Sequence, residues 1–232
     1  MARNCKITLI ILIFMASLAS QAPPAASARI TFTAAGPVTL HGRQSGRDQF
    51  TAGGIVKECP VAHFEGRLGG PSRTLKLGAT YGHPLYSGCI AKALSGLRTK
   101  LGWVGCSYLL RPSGRIAGRE RWRADVEISC PSQLALLWYV YTSGAKYNAG
   151  EPVCTTSMPS QTLPDSAELR NIGGSPGRIA IRWNLTGIRY TPYGSSLLCG
   201  PLRPRRDASY RGEAIIAAKD AGGKPVDLAI GG

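Results

Sequence analysis

The chain has 232 residues, and 28 Lys and Arg against 13 Asp and Glu give it a formal charge of +15. That length is enough for one large domain or two small ones with a core of their own. The charge favours anionic partners (nucleic acid, anionic lipid or an acidic wall polymer) but speaks to loose association rather than to a site, and solvated β faces rich in Arg carry the same excess.

Residues 1–28 have the order of a secretory signal peptide. Arg3 and Lys6 come first, Ile7 to Leu18 form an apolar run, and Ala26-Ser27-Ala28 is a small-x-small site before Arg29. The run is too short to span a bilayer with these flanks. Cleavage there leaves residues 29–232 as a single domain of charge +13, because the leader carries two cations and no acid. The expected place is secreted or extracellular, associated with the cell envelope, with no transmembrane helix in the mature chain. Export makes nucleic acid the least natural anionic partner, so none is expected; an anionic cell-wall polymer or lipid surface remains.

Cys5 falls in the leader. Cys59, Cys89, Cys106, Cys130, Cys154 and Cys199 remain, an even count that in an exported chain reads as three disulfides. Zinc is the rival, but there is no C-x-x-C pair, and the only histidine near a cysteine is His63, four residues after Cys59.

Period-two alternation recurs along the mature chain. Leu75, Leu77, Ala79 and Tyr81 form the first set; Val104, Cys106, Tyr108 and Leu110 form the next. Trp122, Ala124, Val126, Ile128 and Cys130 then alternate with Arg121, Arg123, Asp125, Glu127 and Ser129, a strand with one buried and one wet face. Ile179, Ile181, Trp183 and Leu185 alternate likewise, after which the apolar phase slips by one to Ile188 and Tyr190. Gly187 sits at the slip, where a β-bulge re-aims the side chains. Val226, Leu228 and Ile230 form a last short set. Leu134 to Tyr141 is apolar at every position and reads as a strand covered on both faces, with an exposed aromatic patch as the alternative. Ile90 to Leu101 fits either a short helix or a strand. Gly- and Pro-rich turns separate these runs, so the fold class is all-β, an antiparallel β-sandwich or barrel-like structure with at most one short helix. The final pair, Gly231-Gly232, is expected to fray.

Cys59 and Cys89 flank the Leu75 set, and Cys106 and Cys130 lie on the apolar faces of two strands joined by one loop, which leaves Cys154 and Cys199. The pairing that follows is sequential: 59–89, 106–130 and 154–199.

The segment ITFTAAGPVTLHGRQSGRDQFTAGGIVKECPVAHFEG, the stretches YSGC and GWVGCSYLL, and the late LTGIRYTPYGSSLLCGP with YRGEAIIAAKDAGG occur in that order. Together they resemble a group of uncharacterised exported six-cysteine β-rich proteins of high-GC Gram-positive bacteria. The resemblance covers most of the mature chain and implies the fold and the cysteines; it implies no activity, cofactor or catalytic residue.

Catalytic motifs are absent. The three histidines, His41, His63 and His83, share no metal-ligand spacing, and there is no G-x-S-x-G, P-loop or G-x-G-x-x-G. Glu65, Asp125, Glu127, Glu168 and Glu213 are possible glycosidase carboxylates by type alone. Asp125 and Glu127 share their strand face with Arg121 and Arg123, as a solvated charge ladder does. No cofactor and no metal is expected. The constellations that suggest a partner are basic: Arg111, Arg115, Arg119, Arg121 and Arg123 around one loop, and Arg203, Arg205 and Arg206 in another. Guanidinium groups grip phosphate or carboxylate oxygens, and loops on a rigid β frame present them well. The expected function is therefore a non-enzymatic exported binding or structural protein that meets the anionic envelope through basic loops. The alternative is a secreted hydrolase on a β scaffold.

Overall fold

The computed structural model describes residues 29–78, 86–92, 97–102, 105–142, 151–194, 199 and 201–232. The leader read in residues 1–28 lies outside the described residues, as do Ala79, Tyr81, His83 and Val104.

Strands dominate. In chain order they are β1 (Thr31–Ala34), β2 (Val38–Gln44), β3 (Asp48–Ala52), β4 (Ile55–Cys59), β5 (Val61–Leu68), β6 (Leu75–Gly78), β7 (Tyr86–Ser87), β8 (Ile90–Ala91) and β9 (Leu97–Gly102). There follow β10 (Ser107–Arg115), β11 (Arg121–Ser129), β12 (Leu136–Thr142), β13 (Cys154–Met158), β14 (Gln161–Ile172), β15 (Arg178–Gly194), β16 (Arg205–Lys219), β17 (Pro225–Val226) and β18 (Leu228–Gly231). The segment that fitted helix or strand is strand at both described ends, β8 and β9.

Every pairing between these strands is antiparallel, and the pairings close twice. One ring runs β2-β5-β6-β10-β11-β14-β15-β16 and back to β2; the other runs β3-β4-β8-β9-β12-β13-β15-β16 and back to β3. Closure removes the open edges that an exposed sheet would present. The long pair β15–β16 belongs to both rings. The first half of β15 pairs with β14 and its last residues with β13, while β16 pairs with β3 through Ser209–Arg211 and with β2 through Ala214–Lys219. A separate ribbon of β1 and β18 adds Phe32, Leu228 and Ile230 to the core and is held by Asn171, whose side chain bonds both backbone groups of Ile230. Gly231 is paired with Thr31 there, so the expected fraying does not reach it.

Alternation decides what is inside. In β11, Trp122, Ala124, Val126 and Ile128 are buried; in β15, Ile179, Ile181, Trp183 and Leu185 are, then Ile188 and Tyr190 after the slip. Gly187 has φ +71° and the β15–β16 register shifts between Thr186 and Ile188, as a bulge at the phase change requires. β12 departs from expectation. Leu136, Trp138 and Val140 are buried; on the other phase Tyr141 is buried too, but Leu137 and Tyr139 are half-exposed and Leu134 is exposed, so the second face of this apolar run is only partly covered.

The three disulfides pair sequentially, 59–89, 106–130 and 154–199. Two of them continue a ladder by one step: Glu58 opposes Ile90, and Cys59 bonds Cys89; Ser107 opposes Ser129, and Cys106 bonds Cys130. With 24 to 45 residues between partners, each restricts the unfolded chain by about 3–4 kcal/mol.

The second ring encloses polar groups. The Lys57 side chain is buried over the stacked rings of Phe50 and Trp138, 5.2 and 5.3 Å from their centroids, and Nζ donates to Thr156 Oγ1 at 3.2 Å. Burial disfavours the ammonium and brings the Lys57 pKa down from 10.5 to about 7. The unfolded chain therefore binds the extra proton between pH 7 and 10.5, and Lys57 weakens the fold most below pH 7. Lys57→Met should raise the melting temperature by roughly 5 °C near pH 6. The gain should shrink as pH rises past 7 and vanish above about 10.5, measured by thermal melts across that range. A pH-independent difference would contradict the account.

Candidate anion-binding site

The outer face of the first ring is built by register. Arg123 of β11 opposes Glu168 of β14, Glu168 opposes Arg182 of β15, and Arg182 opposes Glu213 of β16. Directly opposed residues project from one face, so four strands carry one row of alternating charge. Arg182 Nε lies 3.4 Å from Glu213 Oε1, and Arg121, two residues along β11 on the same face, reaches Glu168 Oε1 at 2.6 Å. That diagonal pair offsets the like-charge opposition of Arg121 with Arg170.

Above this row the face is concave. A groove of about 720 Å³ is lined by Arg47, Arg123, Arg182 and Arg211, with Asp165, Glu168 and Glu213. Two further hollows, about 620 and 210 Å³, adjoin it through shared residues, among them Ser45. Together the three carry nine Arg and Lys side chains against four carboxylates, so the whole face is basic. Arg47 is held at 2.6 Å by Glu58, a carboxylate brought down to about 2 by Lys92 first, with Arg47 and Gln49 adding to the effect against the opposing cost of burial. Arg123 and Arg211 have no ion pair among the described residues and remain available to an incoming anion.

Beneath the groove lies Asp48. It is buried, accepts from the Tyr210 hydroxyl at 2.9 Å, and Tyr210 in turn accepts from Tyr86 at 2.8 Å. Burial raises the Asp48 pKa to about 7, opposed by the Tyr210 bond and the Glu213 backbone. Gly212, on the groove floor, allows this: a Cβ there would sit 1.8 Å from Asp48 Oδ1.

The arginines singled out in the sequence are divided by the structure. Arg111 is bound to Glu127 at 2.6 Å, and Arg205 Nε to Asp207 at 3.0 Å. Arg115 donates to the Arg119 carbonyl within the β10–β11 hairpin at 3.4 Å. Arg119, Arg203 and Arg206 are exposed. The two clusters do not meet: through the ladder Arg121–Arg170–Ala180–Ile215, the hairpin aligns with a point ten residues from Arg205 along β16. At about 3.3 Å per residue that is on the order of 30 Å. Of the expected set, Arg121 and Arg123 border the groove system. Arg47, Arg182 and Arg211 were not singled out: Arg182 and Arg211 sit on the polar phase of strands, which says nothing until the strands are aligned, and Arg47 sits in the β2–β3 turn. His41 and His63 border one hollow, but among the described residues no three His, Cys, Asp or Glu side chains gather as a metal-holding group. No helix among those residues is long and apolar enough to cross a membrane. No known protein family, characterised protein or solved structure matches the chain.

Gly212→Ala should lower stability by about 2 kcal/mol through overpacking against Asp48. Adding Asp48→Ala should recover part of that loss in a urea melt; strictly additive losses would show that the two sites are not in contact.

Proposed function

We propose that this is an exported, non-enzymatic binding or structural protein that holds an anionic polymer of the cell envelope on the basic face of its first ring. The observation that carries the reading is the groove in which Arg123 and Arg211, without an ion pair among the described residues, stand beside the Arg182–Glu213 pair. Three disulfides fit an oxidising, extracellular setting. The site lies on a strand face rather than on the basic loops: Arg111 and Arg205 are already bound by carboxylates, while the groove offers guanidinium groups on a rigid frame. A concave polar face suits a polymer chain better than a flat lipid surface.

Binding to purified cell walls should be strong at low salt and fall steeply as ionic strength rises, because exposed charges are screened beyond about 10 Å at 0.1 M salt. Arg123→Ala with Arg211→Ala should weaken it at least tenfold with an unchanged melting temperature. Negligible wall binding at low salt would remove the reading, and equal or stronger binding to anionic vesicles would replace the polymer with a lipid surface.

A second reading, a secreted hydrolase, is favoured by one observation: Glu168 and Glu213 both line the groove, one on each side of Arg182. Two strand steps separate their backbones by about 10 Å, near the upper end of the spacing that inverting glycosidases use. Both carboxylates are ion-paired to arginine, an arrangement that suits a charge ladder better than acid catalysis. The hydrolase reading requires release of reducing ends from wall polysaccharide that stops in Glu168→Gln or Glu213→Gln; release unaffected by both, or none at all, rejects it.

A further inference from the structure

The outer face of the second ring carries a different kind of surface. β12 pairs with β9 on one side and β13 on the other, and β13 pairs with β15. That register sets Lys100, Tyr139, Thr155 and Tyr193 in one line across four strands. Their chain neighbours Trp138 and Thr156 are buried, so the line faces out. Tyr193 is 55 % exposed, the most open large hydrophobic side chain among the described residues. Tyr139 is half-exposed and its ring covers Gly102, where a Cβ would lie 2.6 Å from Cε2. The glycine lets the ring settle against the sheet and holds it there.

Two strand spacings of about 4.8 Å place the two tyrosines roughly 10 Å apart, with the Thr155 hydroxyl between them. Ser157 and Thr191, opposed to each other one row along, add two more partly exposed hydroxyls. Lys100, exposed at the end of the line, has no ion pair among the described residues.

This pattern is not that of an apolar protein-docking patch, which needs contiguous hydrophobic area. Here cation, ring, hydroxyl and ring alternate. An aromatic face is electron-rich and attracts the polarised C–H groups on the flat face of a sugar ring. The tyrosine spacing corresponds to alternate residues of an extended, ribbon-like glycan. Hydroxyls between the rings can donate to and accept from sugar hydroxyls, and Lys100 favours a chain that carries carboxylates.

The geometry points to a glycan-binding strip: Tyr139 and Tyr193 stack alternate sugar rings of an extended acidic polysaccharide, Thr155 bonds the sugar between, and Lys100 meets a carboxylate. The strip is separate from the arginine groove, and the two assignments fail independently.

The test is affinity electrophoresis of the whole protein in gels containing mannuronate-rich alginate or, as an acidic polymer without sugar rings, polyglutamate. Running it also at about 0.5 M salt screens the exposed cations of the groove. Alginate should retard the protein at both salt concentrations. Tyr193→Ala should weaken the high-salt retardation at least tenfold, and Tyr139→Phe, which keeps the ring, should preserve it. Because Tyr193 is exposed, its replacement should leave the melting temperature unchanged, so loss of binding is not loss of fold. Arg123→Ala with Arg211→Ala should leave the high-salt retardation intact. Full retardation of Tyr193→Ala, or none of the native protein at either salt concentration, overturns the proposal. Retardation by polyglutamate that depends on Tyr193 also overturns it, by assigning the strip to acidic peptide.

Discussion

The long antiparallel pair β15–β16 is the constraint on which the rest depends. Its paired positions run from Ile179 opposite Ile216 to Tyr190 opposite Arg205, and each half serves as a wall of a different ring. A side chain changes face with every residue, so a slip of one step would turn Ile181 and Trp183 outward and Arg182 inward. The burial of the even-numbered phase of β16, from Ala208 to Ala218, and the odd phase in the first half of β15 forbids that slip. The bulge at Gly187 then restores the inward phase for Ile188 and Tyr190 in the second ring. The same register sets the outer faces. One row brings Glu168, Arg182 and Glu213 together; eleven residues along the same strand, another brings Thr155 beside Tyr193.

Magnitudes separate the roles of the surface charges. Exposed cross-strand ion pairs such as Arg182–Glu213 contribute about 0.2–1 kcal/mol each to folding. The buried aromatic and aliphatic side chains beneath them contribute about 1.5–3 kcal/mol each. The ladder therefore adds little to stability, and its use lies in placement. Alternating carboxylates hold Arg121 and Arg182 in fixed positions, and Arg123 and Arg211, which have no carboxylate partner among the described residues, stand beside them on the same concave face. A positive face ordered in this way offers an anion donors whose conformations are already restricted, which lowers the entropy lost on binding.

Features coded by near neighbours were readable in the sequence. β11 and the first half of β15 show their buried phase directly, the change of phase marks the bulge at Gly187, and the disulfides join cysteines consecutive in the chain. Features that depend on distant strands were not. The groove draws Arg47, Arg123, Arg182 and Arg211 from four parts of the chain; the alignment of β11, β14, β15 and β16 joins the last three, and the β2–β3 turn, bonded to β16 through Ser45, brings Arg47 to them. Clusters of arginine adjacent in sequence were a poor guide, because in Arg205-Arg206-Asp207 a neighbouring carboxylate takes the first guanidinium. The uniformly apolar stretch ending in Tyr141 misled for a related reason: amphipathic Tyr139 counts as apolar in the pattern, yet it lies on a half-exposed outer face. Lys57 gave no signal at all, since β4 opens with Ile55 and Val56 both half-buried and shows no clean phase.

The second ring is the weaker of the two, and its covalent links fall where it is weakest. β8 has two residues and meets β9 through a single aligned pair, Ile90 with Arg98. Its interior holds Lys57 over the Phe50 and Trp138 rings, with Asp48 bonded to the hydroxyl of Tyr210; both are ionisable groups that a purely apolar core would not have to desolvate. Cys59–Cys89 extends the β4–β8 ladder at that point, and Cys154–Cys199 anchors the start of β13, with both sulfurs buried beside Val140. The first ring contains longer strands, and its one bridge, Cys106–Cys130, sits at the open end of a hairpin already paired over most of its length. The bridges thus shift the balance most in the ring that backbone hydrogen bonds and apolar burial support least. Since that ring supplies half of the walls formed by β15 and β16, closing it also fixes the outer row that carries Tyr139 and Tyr193.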